Sequence, residues 1–298
     1  MYNLFNNKII KYISLVFIII LILILPLVFI LSATTSVFDD ALESLGKDNG
    51  IRVPIVMYHG TIPKSKDLGK YVITPAELES DLKYLKDHDY TSVTMSDLIN
   101  YVYNGTSLPP KPVMITFDDG YYNNYIYATP ILENYNVRAV ISVVGEFTEK
   151  STKIPENNVQ YSYVTWEQIK NMHDSGIYEI QNHTFNLHSY GKKRMGAKKN
   201  RDESIEAYKN LLYSDVGLLQ QKLKESAGIE PNTFTYPFGY ISNDSIPILK
   251  EMGFKATLSC AEGVNIINRN KNDILYGLKR KNRPHGVSTE SFFKKFCP

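Results

Sequence analysis

Short apolar runs separated by amphipathic helical stretches recur along most of this chain, and that alternation restricts the folds open to it more than any other feature. The runs Val53 to Met57, Pro112 to Phe117, Arg138 to Val144, Ile177 to Ile180, Thr233 to Tyr236 and Phe254 to Ser259 read as strands. Helix signals lie between them. Thr74, Pro75 and Glu77 form a capping box with proline at the first helical position, ahead of Leu78, Leu82 and Leu85. Thr165 with Gln168 repeats the capping pattern, and Gly176 stops that helix just before the next strand. Strand and helix in alternation imply a parallel sheet, so the fold class is α/β, as an open doubly wound sheet or an α/β barrel. In both, ligands bind beyond the carboxyl ends of the strands. With 43% apolar residues over 298 positions, one sizeable core is expected, in a single domain spanning 51–298.

The amino-terminal part follows other rules. Tyr12 to Leu31 is uncharged and strongly apolar, and Lys8 and Lys11 precede it. About 20 such residues span a bilayer as a helix, with the basic flank inside. A cleavable signal has a shorter apolar region, about 7 to 15 residues. The small residues Ser32, Ala33, Thr34, Thr35 and Ser36 make a weak cleavage site. The expectation is a cytoplasmic 1–11, a retained membrane anchor at 12–31, a polar tether at 32–50 and a domain outside the cell; cleavage would release that same domain. The 33 basic and 31 acidic residues nearly cancel, so no global field argues for nucleic acid. Locally, Lys192, Lys193, Arg194, Lys198, Lys199 and Arg201 crowd one stretch, which reads as a solvated loop, with a polyanionic wall or lipid surface as the alternative. Cys260 and Cys297 exclude a disulfide scaffold and a cysteine-based zinc module, and are either bridged to each other or free.

Polar residues collect at the strand ends. His59 follows Val56, Met57 and Tyr58, where a histidine is either structural or part of a site. Asp118 and Asp119 end the run from Pro112 to Phe117, and two adjacent carboxylates there are costly unless paired or metal-bound. An Asp-Gly turn through Gly120 is the other reading. His183 and His188 lie just past another strand, at a spacing of five that fits neither period, with rings about 140° apart on a helix. If both bind one metal, the segment is a bend. One aspartate and two histidines would leave positions open for water and substrate, as in a catalytic rather than a structural zinc site. Tyr236, Pro237, Phe238 and Gly239 follow a further strand as a tight turn with exposed backbone N–H groups.

Thr116-Phe117-Asp118-Asp119-Gly120, then His183-Thr184 with His188, then Pro237-Phe238-Gly239, in this order, resemble the polysaccharide deacetylase (NodB-homology) family, carbohydrate esterase family 4. The resemblance runs from Met57-Tyr58-His59-Gly60 to the arginine-rich segment near Arg280 and the final helix. It implies a distorted (β/α) barrel and a divalent metal, most often zinc, held by Asp119, His183 and His188. It implies Asp118 as general base and the backbone N–H of Phe238 as an oxyanion donor. The reaction implied is hydrolysis of N-acetyl groups on N-acetylglucosamine units of a cell-surface glycan, peptidoglycan or poly-N-acetylglucosamine, with release of acetate.

Three features differ from the common pattern of that family: the histidine spacing of five rather than four, Thr235 where an arginine is usual, and the lack of a late Leu-x-His motif. They resemble the poly-N-acetylglucosamine deacetylase branch, which implies His59 as the acid in preference to the late His285 beside Pro284. Arg280 or Arg283 is then expected to orient Asp118, because a guanidinium binds carboxylate through two parallel hydrogen bonds. Two other readings remain at this point. One is a catalytically silent, membrane-tethered glycan-binding protein. The other is a glycoside hydrolase using Asp118 and Asp119, although neighbours on one strand end cannot straddle a glycosidic bond at about 5 to 9 Å.

Overall fold

Alternating strands and helices build a parallel sheet whose carboxyl edge carries the polar residues. The structure, a computed structural model, describes residues 50–297 except positions 192, 193, 270, 272 and 295. The expected membrane segment at 12–31, its flank at 1–11 and the tether up to 49 lie outside the described residues. Among the described residues, no helix is long and apolar enough to cross a membrane.

The chain opens with β1 (Ile51–Val53), β2 (Ile55–Tyr58), β3 (Gly60–Thr61) and β4 (Val72–Ile73), followed by α1 (Pro75–Asp87), β5 (Thr91–Ser92) and α2 (Met95–Asn104). Next come β6 (Pro112–Phe117), α3 (Thr129–Tyr135), β7 (Ala139–Val143), α4 (Gly145–Lys153), α5 (Trp166–Asp174) and β8 (Tyr178–Asn182). The long α6 (Ile205–Ala227), β9 (Thr233–Thr235), α7 (Ser245–Glu251), β10 (Ala256–Leu258), β11 (Asn265–Ile267), β12 (Lys281–Asn282) and α8 (Thr289–Phe293) complete it. Both expected capping boxes form: Thr74 Oγ1 accepts the Glu77 N–H at 3.2 Å, and Thr165 Oγ1 the Gln168 N–H at 3.2 Å. Each such cap stabilises its helix by about 1 kcal/mol. Gly176 ends α5 in the left-handed region, at φ 73°. A further box, Thr94 with Asp97, starts α2.

The main sheet runs β10-β9-β8-β7-β6-β2-β12, with β5 beside β6, and its pairs are parallel. This is an α/β half-barrel. Its two edges are joined by one short segment. Leu278 donates its N–H to the Thr257 carbonyl and accepts the Ser259 N–H, both at 2.9 Å, on the β10 side. Lys281 and Asn282 then pair with Val56 and Met57 of β2 on the other. The residues between them are thereby carried across the mouth of the barrel.

Strand alternation assigns each side chain to a layer. Ile115 and Phe117 of β6 pack outward, in the cluster that holds Leu78, Leu82 and Leu85 of α1. Met114 packs inward with Ile55, Val140 and Leu258. Thr116 and Asp118 follow Met114 at the same parity, so the inward column that begins apolar ends in a carboxylate at the strand's carboxyl end.

Candidate active site

The strand ends of β2, β6, β8, β9 and β10 enclose a cleft of about 610 Å³ whose walls include His59, Asp118, Asp119, His183, His188 and Phe238. Asp118 is buried, and Arg280 donates to both of its oxygens, Nη1 to Oδ1 and Nη2 to Oδ2, each at 2.7 Å. Arg280 is itself fully buried; its Nε donates to the Ser259 carbonyl at 2.7 Å and Nη1 also to Thr116 Oγ1 at 3.3 Å. Burial alone would raise the Asp118 pKa, but the Arg280 charge and hydrogen bonds outweigh it and hold the carboxyl below its usual value. Of the two arginines weighed in the sequence, the structure brings only Arg280 to Asp118. Arg283 turns the other way and pairs with Asp81 of α1.

Asp119 takes a left-handed backbone, φ 71°, and Gly120 follows at 77°. A Cβ on Gly120 would stand 3.1 Å from Val143 Cγ1, a tight contact, and the left-handed φ is what favours glycine at this turn. The turn brings Asp119 Oδ1 to 3.4 Å from His183 Nε2 and 3.1 Å from His188 Nε2. The three ligand atoms lie within 4.8 Å of one another. The five-residue spacing is absorbed by a bend after β8, as two histidines on one centre require. Thr184 within that bend sits at φ 74°, a costly conformation for a β-branched residue, of order 1–3 kcal/mol. The Asn182 side chain accepts its N–H at 2.9 Å and so helps to hold it.

These residues fit a divalent cation. His183 Nδ1 lies 2.7 Å from the Thr235 carbonyl, which accepts its proton and leaves the Nε2 lone pair facing Asp119. Asp119 Oδ1 is buried without a hydrogen-bond donor among the described residues. Burial lowers the His188 pKa, yet the Asp119 carboxylate outweighs it and draws the imidazole toward a proton that a cation would replace. Two imidazoles and one carboxylate leave open coordination positions.

His59 borders the same cleft, with Nδ1 buried and unpaired among the described residues and its ring 4.8 Å from that of Tyr71. Burial lowers its pKa, against the opposing charges of Asp119 and Asp118. His285 is not among the residues lining the cleft; it meets Glu77 at 2.8 Å. Phe238 occupies the turn Pro237–Gly239 at φ 58°, its ring centroid 4.6 Å from that of His188. The N–H groups of Gly239 and Tyr240 are used inside that turn, on the Tyr236 and Pro237 carbonyls. Thr235, where an arginine was missed, supplies the His183 acceptor instead and bonds Ser142 at 2.7 Å.

Cys260 and Cys297 are both free, the first on the cleft wall and the second buried elsewhere. The described part of the basic stretch is partly neutralised, with Arg194 on Glu203 at 2.6 Å and Lys199 near Asp244 at 3.7 Å, and these two basic side chains are mostly covered rather than freely solvated. Tyr121 is a site residue the sequence reading passed over. It lines the cleft, stacks on Tyr163 at 4.9 Å, and has its pKa raised by burial and then by Asp119. Its place directly after Gly120 was the available signal.

A sequence profile of the polysaccharide deacetylase family matches residues 105–257, just over half of the chain. The poly-β-1,6-N-acetyl-D-glucosamine N-deacetylase of Staphylococcus aureus is 27% identical over 210 residues, which cover 70% of this chain and 67% of that protein. A Streptococcus pyogenes deacetylase solved in complex with acetate superposes with a TM-score of 0.67 at 21% identity, over 84% of this chain and 100% of that one. A de-N-acetylase from Aggregatibacter actinomycetemcomitans gives a TM-score of 0.67 at 28% identity, over 83% and 100%.

Proposed function

We propose, for a chain that belongs to the polysaccharide deacetylase family and is a polysaccharide N-deacetylase, that its substrate is a poly-N-acetylglucosamine whose acetamides it hydrolyses with a divalent metal at the carboxyl end of the barrel. The observation that carries the metal-dependent reading is the convergence of Asp119, His183 and His188 beside an Asp118 clamped by Arg280. The S. aureus relative, named for poly-β-1,6-N-acetyl-D-glucosamine, favours that polymer over peptidoglycan.

Asp119, His183 and His188 would hold the cation, which when bound supplies Lewis-acid polarisation of the acetyl carbonyl and acidifies water. Asp118, kept ionised by Arg280, takes the proton of the attacking water. The Phe238 N–H serves the oxyanion. His59 delivers a proton to the departing amine. Acetate and a free amino sugar result. The silent-binder reading rested on the missing arginine and missing late motif; Arg280 and His59 occupy those roles in this proposal. The anchor at 12–31 would hold the domain at the outer face of the cell membrane; removing residues 1–49 should move the protein from the membrane to the soluble fraction.

Acetate release measured on poly-β-1,6-N-acetylglucosamine and on peptidoglycan, with zinc, cobalt or nickel added to chelated enzyme, tests the reading. Release from the first, lost on chelation, is expected, and none from either polymer with any metal would sink it. For the acid, His59→Ala should slow the amide substrate while sparing an aryl acetate, whose leaving group departs without a proton. Equal losses on both substrates would remove His59 from that role.

A further inference from the structure

The bend that carries both histidines is tied down from behind, by a residue that is not among those lining the cleft. The peptide groups of this bend are hydrogen-bonded to two helices. On one side, the start of α4 takes its carbonyls, with the Gly145 N–H on Thr184 at 3.0 Å and the Glu146 N–H on Phe185 at 2.7 Å. On the other side stands α6. Asp215, in the middle of that helix, accepts the Phe185 N–H through Oδ1 at 2.8 Å and the Asn186 N–H through Oδ2 at 2.9 Å. One residue on, the Val216 carbonyl accepts the Asn182 side-chain N–H at 3.0 Å, and Gln220 accepts another at 3.1 Å.

Asp215 is the charged member of this set. A carboxylate accepting backbone N–H groups forms hydrogen bonds roughly twice as strong as neutral ones. Two such bonds to consecutive residues fix the orientation of two of the five peptide planes between His183 and His188. The histidine spacing of five, which neither a helix nor a strand accommodates, is thereby given one shape, with both Nε2 atoms aimed at Asp119 Oδ1.

We infer that Asp215 is a positioning residue for the metal ligands, acting through the Phe185 and Asn186 peptides to hold the two imidazoles at a common centre. The inference rests on the reading of Asp119, His183 and His188 as ligands. Loss of its charge leaves the fold in place and loosens the site.

The test reads metal binding without turnover. Zinc affinity is measured by chelator competition, and cobalt by its visible absorption, on full-length parent, Asp215→Asn, His183→Ala and Leu219→Ala. Asp215→Asn should bind about 10–100-fold more weakly and shift the cobalt bands, the usual cost of losing an outer support of a ligand. Leu219→Ala removes a buried side chain one turn further along the same helix. It should lower the melting temperature yet leave the affinity at the parent value, which separates positioning from general stability. Parent-like binding by His183→Ala would mean that the ligand reading itself fails. If His183→Ala abolishes binding while Asp215→Asn matches the parent, the positioning role alone is overturned. Should Asp215→Asn fail to fold, Asp215→Ser, which removes the charge but keeps a short acceptor, replaces it, and parent-like affinity there overturns the role equally.

Discussion

Arg280 and Arg283 stand three residues apart in one segment, each buried and each bound through two nitrogens to an aspartate, yet the two aspartates are completed differently. Asp81 receives Arg283 Nε at 2.7 Å and Nη2 at 3.0 Å, and also the Tyr58 hydroxyl at 3.0 Å and the Thr289 hydroxyl at 2.7 Å. Every oxygen then has two donors, which fills the roughly four acceptor sites of a carboxylate. Asp118 receives one guanidinium N–H at each oxygen and faces the cleft with acceptor capacity to spare. A saturated pair fixes the fold, because nothing more can approach it. An unsaturated pair at a cleft keeps a charged base that can still take a proton.

The sharpest way to break this contrast is to neutralise the unsaturated partner. Asp118→Asn should lower kcat by about 10²–10⁴-fold, the usual worth of a general base, with metal binding retained. A smaller loss in acetate release per folded molecule would mean that Asp118 is structural after all. The converse change is Asp81→Ala, which strands the Arg283 guanidinium in the interior. It should cost about 3–5 kcal/mol in denaturant unfolding while kcat/KM of the folded fraction holds. A parallel fall in kcat/KM would erase the distinction between the pairs.

Arg280→Gln tests how the clamp serves the base. With Arg280 present the Asp118 carboxyl lies below its ordinary value, so the base is ionised across the working range. Without it the largest influences opposing burial are gone, the pKa rises, and activity is lost at a higher pH as the solution is acidified. The acid limb of kcat/KM should therefore move upward; an unmoved limb would show that Arg280 does not set this pKa.

The smallest effect is expected at the rim, where Glu77, one turn before Asp81 on α1, receives His285 and the Gly286 N–H. Burial pushes its pKa up, but these bonds and those from Thr74 prevail and bring it from 4.5 down to about 2. The sign follows from linkage: the stabilisation is complete above about 4.5 and disappears as pH falls through about 2. The gap in melting temperature between parent and Glu77→Gln should narrow as pH drops through that window, and a constant gap would refute the assignment.

The barrel and the convergence of Asp119, His183 and His188 were legible because their signals are local. Strand runs, two capping boxes and the turn from Asp118 to Gly120 each lie within a few residues, and family motifs added the roles. The choice between Arg280 and Arg283 was not legible. Alternation puts them on opposite faces, but which one faces inward depends on pairing Lys281 with Val56, a register the local sequence does not contain. Asp215 carried no signal at all, being one polar position in a long helix whose partners are backbone groups of another segment. His59 and His285 were separable in the sequence by strand-end against loop placement and by family likeness; in the structure His59 lines the cleft while His285 pairs with Glu77.

The segment at 278–283 also sets an order of events. Its contacts reach back 162 residues to Asp118 and 202 to Asp81, and pairings of such range form late because their loop entropy must be met first. A chain growing from its amino end has the strands bearing Asp119, His183 and His188 before this segment exists. The intermediate can therefore gather its proposed metal ligands while Asp118 still lacks its arginine. Until the 278–283 segment docks, Asp118 has no guanidinium to set against the cost of its burial, so the base takes its final state after the residues proposed to hold the cation.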